Sequence, residues 1–140
     1  MLYLIIKLLL ICLIITIVIE YIPIVIFLQI SNNYFIAVNV LTNVVANVIL
    51  LIYDILNIEN NLLMDRWQII IVLEIIICIV EIYLYCIYTD KKIINDKNIS
   101  ASSVNTIKKQ MYAKVIFTTI FANVLSFTLG TILLKVAMRG

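Results

Sequence analysis

Four long apolar stretches constrain the fold of this chain more than any other feature. The first runs almost unbroken from the first residue to Gln29, and three more follow, each separated from the next by a short polar segment. A membrane-spanning helix needs about 20 apolar residues, and each stretch is long enough. The apolar residues surround each predicted helix instead of forming one stripe, so the expected environment is lipid. We predict an all-α, polytopic membrane protein built as a four-transmembrane-helix bundle.

The whole chain, residues 1–140, is predicted to form a single integral membrane domain. Its charged residues make up 13% of the sequence and its hydrophobic residues 65%, so too few charges exist to cover a water-soluble surface. The many β-branched residues do not indicate strands, because only helices and closed barrels satisfy backbone polar groups in lipid, and no polar–apolar alternation is visible. The predicted helices cover about 4–29, 35–57, 67–89 and 112–135.

The connections between the predicted helices indicate a topology. Ser31-Asn32-Asn33 is a tight, uncharged link, which favours an antiparallel hairpin of the first two helices. The basic loop 90–111 holds the largest lysine cluster: Lys91, Lys92, Lys97, Lys108 and Lys109. Because short loops rich in lysine and arginine stay in the cytoplasm, we expect a multi-pass protein of the cell membrane with loop 90–111 cytoplasmic and both termini outside. Eight lysines against two arginines, with abundant isoleucine and asparagine, indicate AT-rich coding, typical of a low-GC bacterium.

The composition excludes several kinds of chemistry. The chain has no histidine, which removes the usual general base and most zinc sites. Its two glycines cannot form a phosphate-binding loop. The three cysteines, Cys12, Cys78 and Cys86, form no paired motif and are interpreted as small buried hydrophobes. With no recognisable catalytic motif we predict no enzyme and no cofactor, and the net charge of +2 is too small and scattered to indicate nucleic acid.

Three carboxylates stand out because they fall inside the apolar stretches. Glu20, Glu74 and Glu81 have no lysine or arginine at the same depth, and an ionisable residue there costs at least about 2.5–3.5 kcal/mol on insertion scales. From the helical rise, Glu20 and Glu81 should both lie roughly 12–13 Å from the end where the first two helices connect. Intramembrane carboxylates are functional by default, so we take these three as candidate ligands or proton acceptors.

Amide and hydroxyl side chains fall at similar depths on the other helices. Helical spacing of about 100° per residue puts them on one face of each helix, which must point away from lipid. Pro23 removes a backbone hydrogen bond one turn after Glu20 and should free a carbonyl beside it. The candidate ligand or proton-binding residues are Glu20, Glu74, Glu81, Asn43, Asn47 and Asn123. Supporting positions are Pro23, Asn39 and Ser126, and no particular metal is indicated.

These polar motifs resemble those of a group of small, uncharacterised bacterial four-helix integral membrane proteins. The pattern joins Glu20-x-x-Pro23, Leu41-Thr42-Asn43 and Ala122-Asn123-x-x-Ser126, and spans nearly the whole chain. The group shows Glu-Leu-Pro, where this chain places its proline one residue later, and Leu-Thr-Asn-Pro, where this chain has Val44. The resemblance therefore implies the four-helix architecture, but it does not carry over a break in the second helix.

Two functions remain open at this point. The leading hypothesis is a small membrane protein that binds or transports a small cation, a proton or a cationic solute through the central carboxylates and amides. The alternative is a non-transporting accessory or assembly subunit of a membrane complex, in which the same cluster fixes helix packing. A membrane enzyme using Glu74 and Glu81 ranks third. The expected partners are the lipid bilayer and either further copies of this chain or a larger membrane complex.

Overall fold

The computed structural model describes residues 2–60, 65–95 and 104–137, with side chains for 11, 13–56, 65, 67–95 and 104–132. These residues form four helices and contain no strand, which confirms the predicted all-α bundle. The helices are α1 (Leu2–Tyr21), α2 (Asn32–Asn60), α3 (Arg66–Asn95) and α4 (Val104–Ala137), and a π-helical segment (Ile22–Phe27) directly extends α1. The prediction for Cys12 concerns a side chain outside the described ones.

Local hydrogen bonds explain where the second and third helices begin. The Phe35 amide donates to the Ser31 carbonyl at 3.0 Å, so α2 starts at Asn32, slightly before the predicted residue 35. At the start of α3, the Asp65 amide donates to the Gln68 side-chain oxygen at 3.0 Å, which is one half of a capping box. The α2 helix then runs unbroken through Val44, in keeping with the missing proline.

The prediction of a basic loop at 90–111 is wrong, because its described residues, 90–95 and 104–111, are helical. The α3 helix continues to Asn95 and α4 begins at Val104, not near 112; only residues 96–103 lie outside the described ones. Hydropathy marks the apolar part of a helix, whereas the helix itself continues wherever its backbone bonds are supported. Here Lys108 forms a 3.0 Å ion pair with Asp90, and the Tyr112 hydroxyl donates to the same carboxylate at 2.6 Å. These bonds stabilise the polar extensions of the two helices, residues 90–95 of α3 and 104–111 of α4, against each other.

The helices form a four-membered ring. Each packs against two neighbours, α1 against α2 and α4, and α3 against α2 and α4, while the diagonal pairs do not pack over the described residues. Neighbouring helices are antiparallel. The Lys92 ammonium donates to the Gln29 carbonyl at 3.3 Å, so the 1–2 connection and the extensions of α3 and α4 lie at the same end, as predicted. Gln29 itself takes a left-handed backbone conformation (φ 54°) that ends the first helix.

Three helices are long and apolar enough to cross a membrane: Asn32–Leu56, Trp67–Asn95 and Val104–Ile132. In the first helix the described apolar part, Leu13–Phe27, is shorter. The complete helical run has 20 residues in α1 and 6 in the π-helical segment, which gives a length of about 39 Å. Apolar side chains such as Ile14, Val18 and Phe117 are exposed on the outside of the bundle. These features make the chain a membrane-embedded helical bundle.

The two ends of the bundle are packed differently. At the closed end, where α1 connects to α2, aromatic rings fill the centre: Tyr21 meets Phe35 edge-on with centroids 5.8 Å apart, and Tyr34 lies 4.7 Å from Tyr88. At the opposite, open end, none of the described α1 side chains before Glu20 is buried. Two grooves separate the helices there, one between α1 and α4 and one between α3 and α4.

Candidate functional site

The π-helical segment sets the position of Glu20 at the end of α1. Pro23 has no amide hydrogen and cannot continue the α-helical ladder, and here the helix widens into a π-helix across Ile22–Phe27. The backbone hydrogen bond that Pro23 cannot form is thus accommodated by a wider helical turn. Such turns occur frequently at functional sites. Glu20 lies immediately before this turn, with 1% of its surface exposed, and points into the ring of helices.

Glu81 lies on α3 near the middle of the bundle and is fully buried. One of its carboxyl oxygens, Oε1, accepts a 3.0 Å hydrogen bond from the Thr42 hydroxyl of α2. The other, Oε2, accepts a 2.8 Å hydrogen bond from the Asn123 amide of α4. Thr42 and Asn123 belong to diagonally opposed helices, so the Glu81 carboxyl bridges the ring. Both partners are neutral, and neither cancels a negative charge.

Glu20 is only half satisfied by comparison. Its Oε1 accepts a short hydrogen bond of 2.6 Å from the Ser126 hydroxyl of α4. Its Oε2 is buried and has no hydrogen-bond partner. An unpaired buried polar atom costs about 1–3 kcal/mol, and more when charged. Glu20 Oε2 therefore lowers the stability of the folded bundle unless it gains a partner.

A second unpaired acceptor lies beside Glu20. The Asn39 side chain of α2 faces the Glu20 carboxyl, and its amide donates to the Tyr85 hydroxyl at 3.3 Å. Its own oxygen, Oδ1, is buried without a partner, as is the hydroxyl oxygen of Thr119 on α4. Both residues are fully buried. In this cluster three buried polar atoms, one on each of three helices, are therefore unpaired. Asn39 Oδ1 can only accept a hydrogen bond, and the same is true of Glu20 Oε2 when Glu20 is ionised.

The cluster contains negative groups without positive ones. Glu20 and Glu81 are close enough to repel each other if both are ionised. The lysines whose side chains the structure describes lie toward the closed end: Lys91, Lys92, Lys108, Lys109 and Lys114. Of these, Lys92 and Lys108 bond to groups there. Over the described residues, no three Cys, Asp or Glu side chains are arranged to hold a metal ion. Any neutralising charge must therefore be a proton or a ligand bound with the help of amide and hydroxyl oxygens.

Glu74 is separate from this network. It is half-buried, enters none of the hydrogen bonds that join Glu20 and Glu81, and lines the open-end groove between α3 and α4. The groove has a volume of about 420 Å³ and is otherwise almost wholly apolar. Asn123 lines the same groove while donating to Glu81. The Asn123 side chain thus connects the groove with the buried cluster.

The other predicted residues divide into two groups. Asn39, Asn123 and Ser126 join the network directly. Asn43 is half-buried and donates to the Asn39 backbone carbonyl of its own helix at 2.9 Å, and Asn47 is half-buried one turn further along and takes part in none of these bonds. These two asparagines therefore lie beside the network and make no contact with its carboxyls.

Three members of the cluster were not among the candidate site residues: Thr42, Tyr85 and Thr119. Helical spacing places Tyr85 on the same face as Glu81 and Thr119 on the same face as Asn123, and Tyr85 is fully buried. Its position one turn after Glu81, on the same helix face, was the available signal. Thr42 lies one turn before Ala46 on the buried face of α2, three residues after Asn39, and that spacing also places it toward the centre.

Comparison with protein-family models, with curated proteins and with solved structures finds no match for this chain.

Proposed function

We propose that this membrane protein binds a small cation, in the first place a proton, at the Glu20–Glu81 cluster, and that uptake and release of that cation accompany movement of a solute across the membrane. The proposed site comprises the Glu20 carboxyl, the Asn39 side chain and the Glu81 carboxyl. Each comes from a different helix, so occupancy of the site acts on the packing of the whole ring.

The observation that carries the proposal is the pair of unpaired buried acceptors, Glu20 Oε2 and Asn39 Oδ1. A proton on Glu20 Oε2 supplies the missing donor and removes the uncompensated charge at the same time. A bound metal cation would act in a similar way, since carboxylate, amide and hydroxyl oxygens are the ligands that hard cations prefer. Neutral hydrogen bonding alone does not need a carboxylate, because asparagine or serine provides it without the insertion cost of glutamate.

One observation favours the second candidate, an accessory subunit without transport activity. Glu81 is fully satisfied by Thr42 and Asn123, and polar side chains that bond across membrane helices commonly serve to hold them together. In that case Glu20 and Glu81 would both be structural, no added cation would stabilise the bundle, and no proton or cation would cross the membrane through it.

Thermal melting of the purified protein across pH tests whether Glu20 holds a proton in the folded state. If Glu20 holds a proton when folded, the folded state binds more protons than the unfolded one, so stability falls as pH rises. Glu20→Gln keeps a donor in place of the proton and removes the charge, so we expect it to melt at least as high as the wild type and to lose most of this pH dependence. Asp65→Asn, at an exposed carboxylate, is the control and should leave the pH profile unchanged.

A panel of monovalent and divalent cations completes the test. A rise in melting temperature with one cation, absent in Glu20→Gln, identifies that cation instead of the proton, because a ligand that binds only the folded state stabilises it by mass action. A flat pH profile with no cation effect in the wild type would falsify the binding proposal and favour the accessory subunit. Proton or cation flux into liposomes then tests transport itself.

We further propose that the closed end faces the cytoplasm, since its helical extensions carry the lysines. Asn105→Cys at the closed end and Asp65→Cys at the open end, each in a chain without native cysteines, probe opposite sides; both positions are exposed. In intact cells an impermeant maleimide should label Asp65→Cys alone. Labelling of Asn105→Cys alone reverses the orientation.

A further inference from the structure

The groove between α3 and α4 combines a hydrophobic wall with a single carboxylate. Apolar side chains from both helices form most of its lining, among them Ile75, Ile79, Val124 and Phe127, while Glu74 contributes the negative group. Its volume of about 420 Å³ lies within the range of small-molecule sites. The groove lies on the flank of the bundle between α3 and α4, in the half nearer the open end. It opens sideways toward lipid, so an occupant can reach it from the lipid phase.

The carboxylate makes a lipid chain a poor occupant of the groove. An acyl chain satisfies the isoleucines and Phe127 but leaves Glu74 without a partner, and an unpaired carboxylate at membrane depth is costly. A lipid headgroup offers an ammonium, but Glu74 lies eight residues into α3, about 12 Å from its first residue by helical rise. A headgroup held at the membrane surface cannot fill the groove at that depth.

We infer that this groove binds a small organic cation whose apolar body packs against the isoleucines and whose ammonium pairs with Glu74. The aromatic ring of Phe127 supports the same class of ligand, because quaternary ammonium groups are attracted to aromatic faces. Asn123 lines the groove and donates to Glu81, so the occupant reaches a residue of the buried cluster. The inference nevertheless stands apart from the proposed proton site, since Glu20 takes no part in the groove.

Isothermal titration of the full chain in lipid nanodiscs tests this site with benzyltrimethylammonium as the probe. We expect saturable binding that weakens tenfold or more in Glu74→Gln, because the amide keeps the size of the side chain and loses its charge. Asp65→Asn, at an exposed carboxylate outside the groove, should stay within twofold of the wild type. Neopentylbenzene has the same shape as the probe without its charge, and we expect it not to displace the probe at equal concentration.

Three outcomes overturn the inference. These are no saturable binding of the probe to the wild type, equal affinity in Glu74→Gln, and displacement of the probe by neopentylbenzene at equal concentration. The last result means that the groove selects shape alone. In the second outcome, a loss of binding in Glu20→Gln would place the cation in the buried cluster instead. Failure of the proton site leaves these measurements unaffected.

Discussion

The closed and open ends of the bundle are built from similar apolar sequences, yet they differ in what fills the space between the helices. At the closed end, Tyr34 from α2 meets Tyr85 and Tyr88 from α3, and its hydroxyl donates to the Leu84 carbonyl at 2.9 Å. Phe35, also from α2, meets Tyr21. Large rings with polar tips both fill volume and close hydrogen bonds. At the open end the helices carry mainly isoleucine and valine directed to lipid, and grooves remain between them.

The difference shows what holds a bundle together when its solvent is itself apolar. Lipid tails satisfy isoleucine as well as another helix does, so apolar surface alone does not drive helices together. Tight packing and interhelical hydrogen bonds do, and both are concentrated from the closed end to the level of Glu20 and Glu81. The carboxylate cluster lies where this packing stops, and Glu74 lies beyond it.

The largest effect should come from replacing a glutamate by lysine inside the packed region, compared with the same change in the open half. Glu81→Lys puts a charge into a fully buried site whose neighbours offer no prepared partner, and we expect a loss of roughly 3–5 kcal/mol in the free energy of unfolding. Glu81→Gln should be tolerated, because its amide can donate to the Thr42 hydroxyl oxygen. Glu74→Lys is the matched control, since its long side chain can extend along the groove toward the membrane surface. Melting temperature and the monodisperse fraction after detergent extraction measure all three. Equal losses in the two lysine variants would remove the distinction between the ends.

A smaller effect is expected from truncating one phenylalanine at each end. Phe35 is fully buried in the closed end, so Phe35→Ala leaves a cavity and should cost about 3 kcal/mol, the low end of the usual range for a buried phenylalanine. Phe127 is half-buried and lines the groove, so Phe127→Ala widens a space that is already open and should cost about 1 kcal/mol. Denaturant titration in mixed micelles gives both values. A Phe127→Ala loss as large as that of Phe35→Ala would mean that the open end is packed in the membrane.

The helical architecture was predictable from the sequence because the length and hydropathy of an apolar stretch identify a membrane helix. What hydropathy could not give was where the helices end. Asp90 and Lys108 were placed in a loop and Tyr112 at the first residue of the next helix, but Lys108 and Tyr112 both bond to Asp90 across two helical extensions. Long-range pairing of this kind leaves no signal in a single sequence, since each residue alone fits a solvated loop equally well.

The candidate site was predicted in part for a similar reason. Helical depth and angle brought Glu20, Asn123 and Ser126 into one slab, and these residues do meet. The same reasoning could not separate Asn39, which faces the cluster, from Asn43, which bonds back to its own helix. The two lie one helical turn apart on nearly the same face, and the choice between them depends on the packing of α2 against α1 and α3. Tyr85 was missed because tyrosine is common at membrane surfaces.

The smallest of the three effects should come from removing one hydroxyl at Tyr85, and it tests the link between the closed end and the cluster. Tyr85→Phe keeps the ring and its packing but removes the acceptor of the Asn39 amide. Since Asn39 is fully buried, its amide then lacks a partner, and we expect a loss of roughly 1–3 kcal/mol. Tyr83→Phe is the matched control two residues away; its side chain is 66% exposed, and the change should stay within about 0.5 kcal/mol. Thermal melts of both variants at one pH measure the difference. If Tyr85→Phe is as harmless as Tyr83→Phe, the Asn39 amide bonds to the Glu20 carboxyl instead, which would supply Glu20 Oε2 with a donor from the protein and leave no vacancy there for a proton to fill.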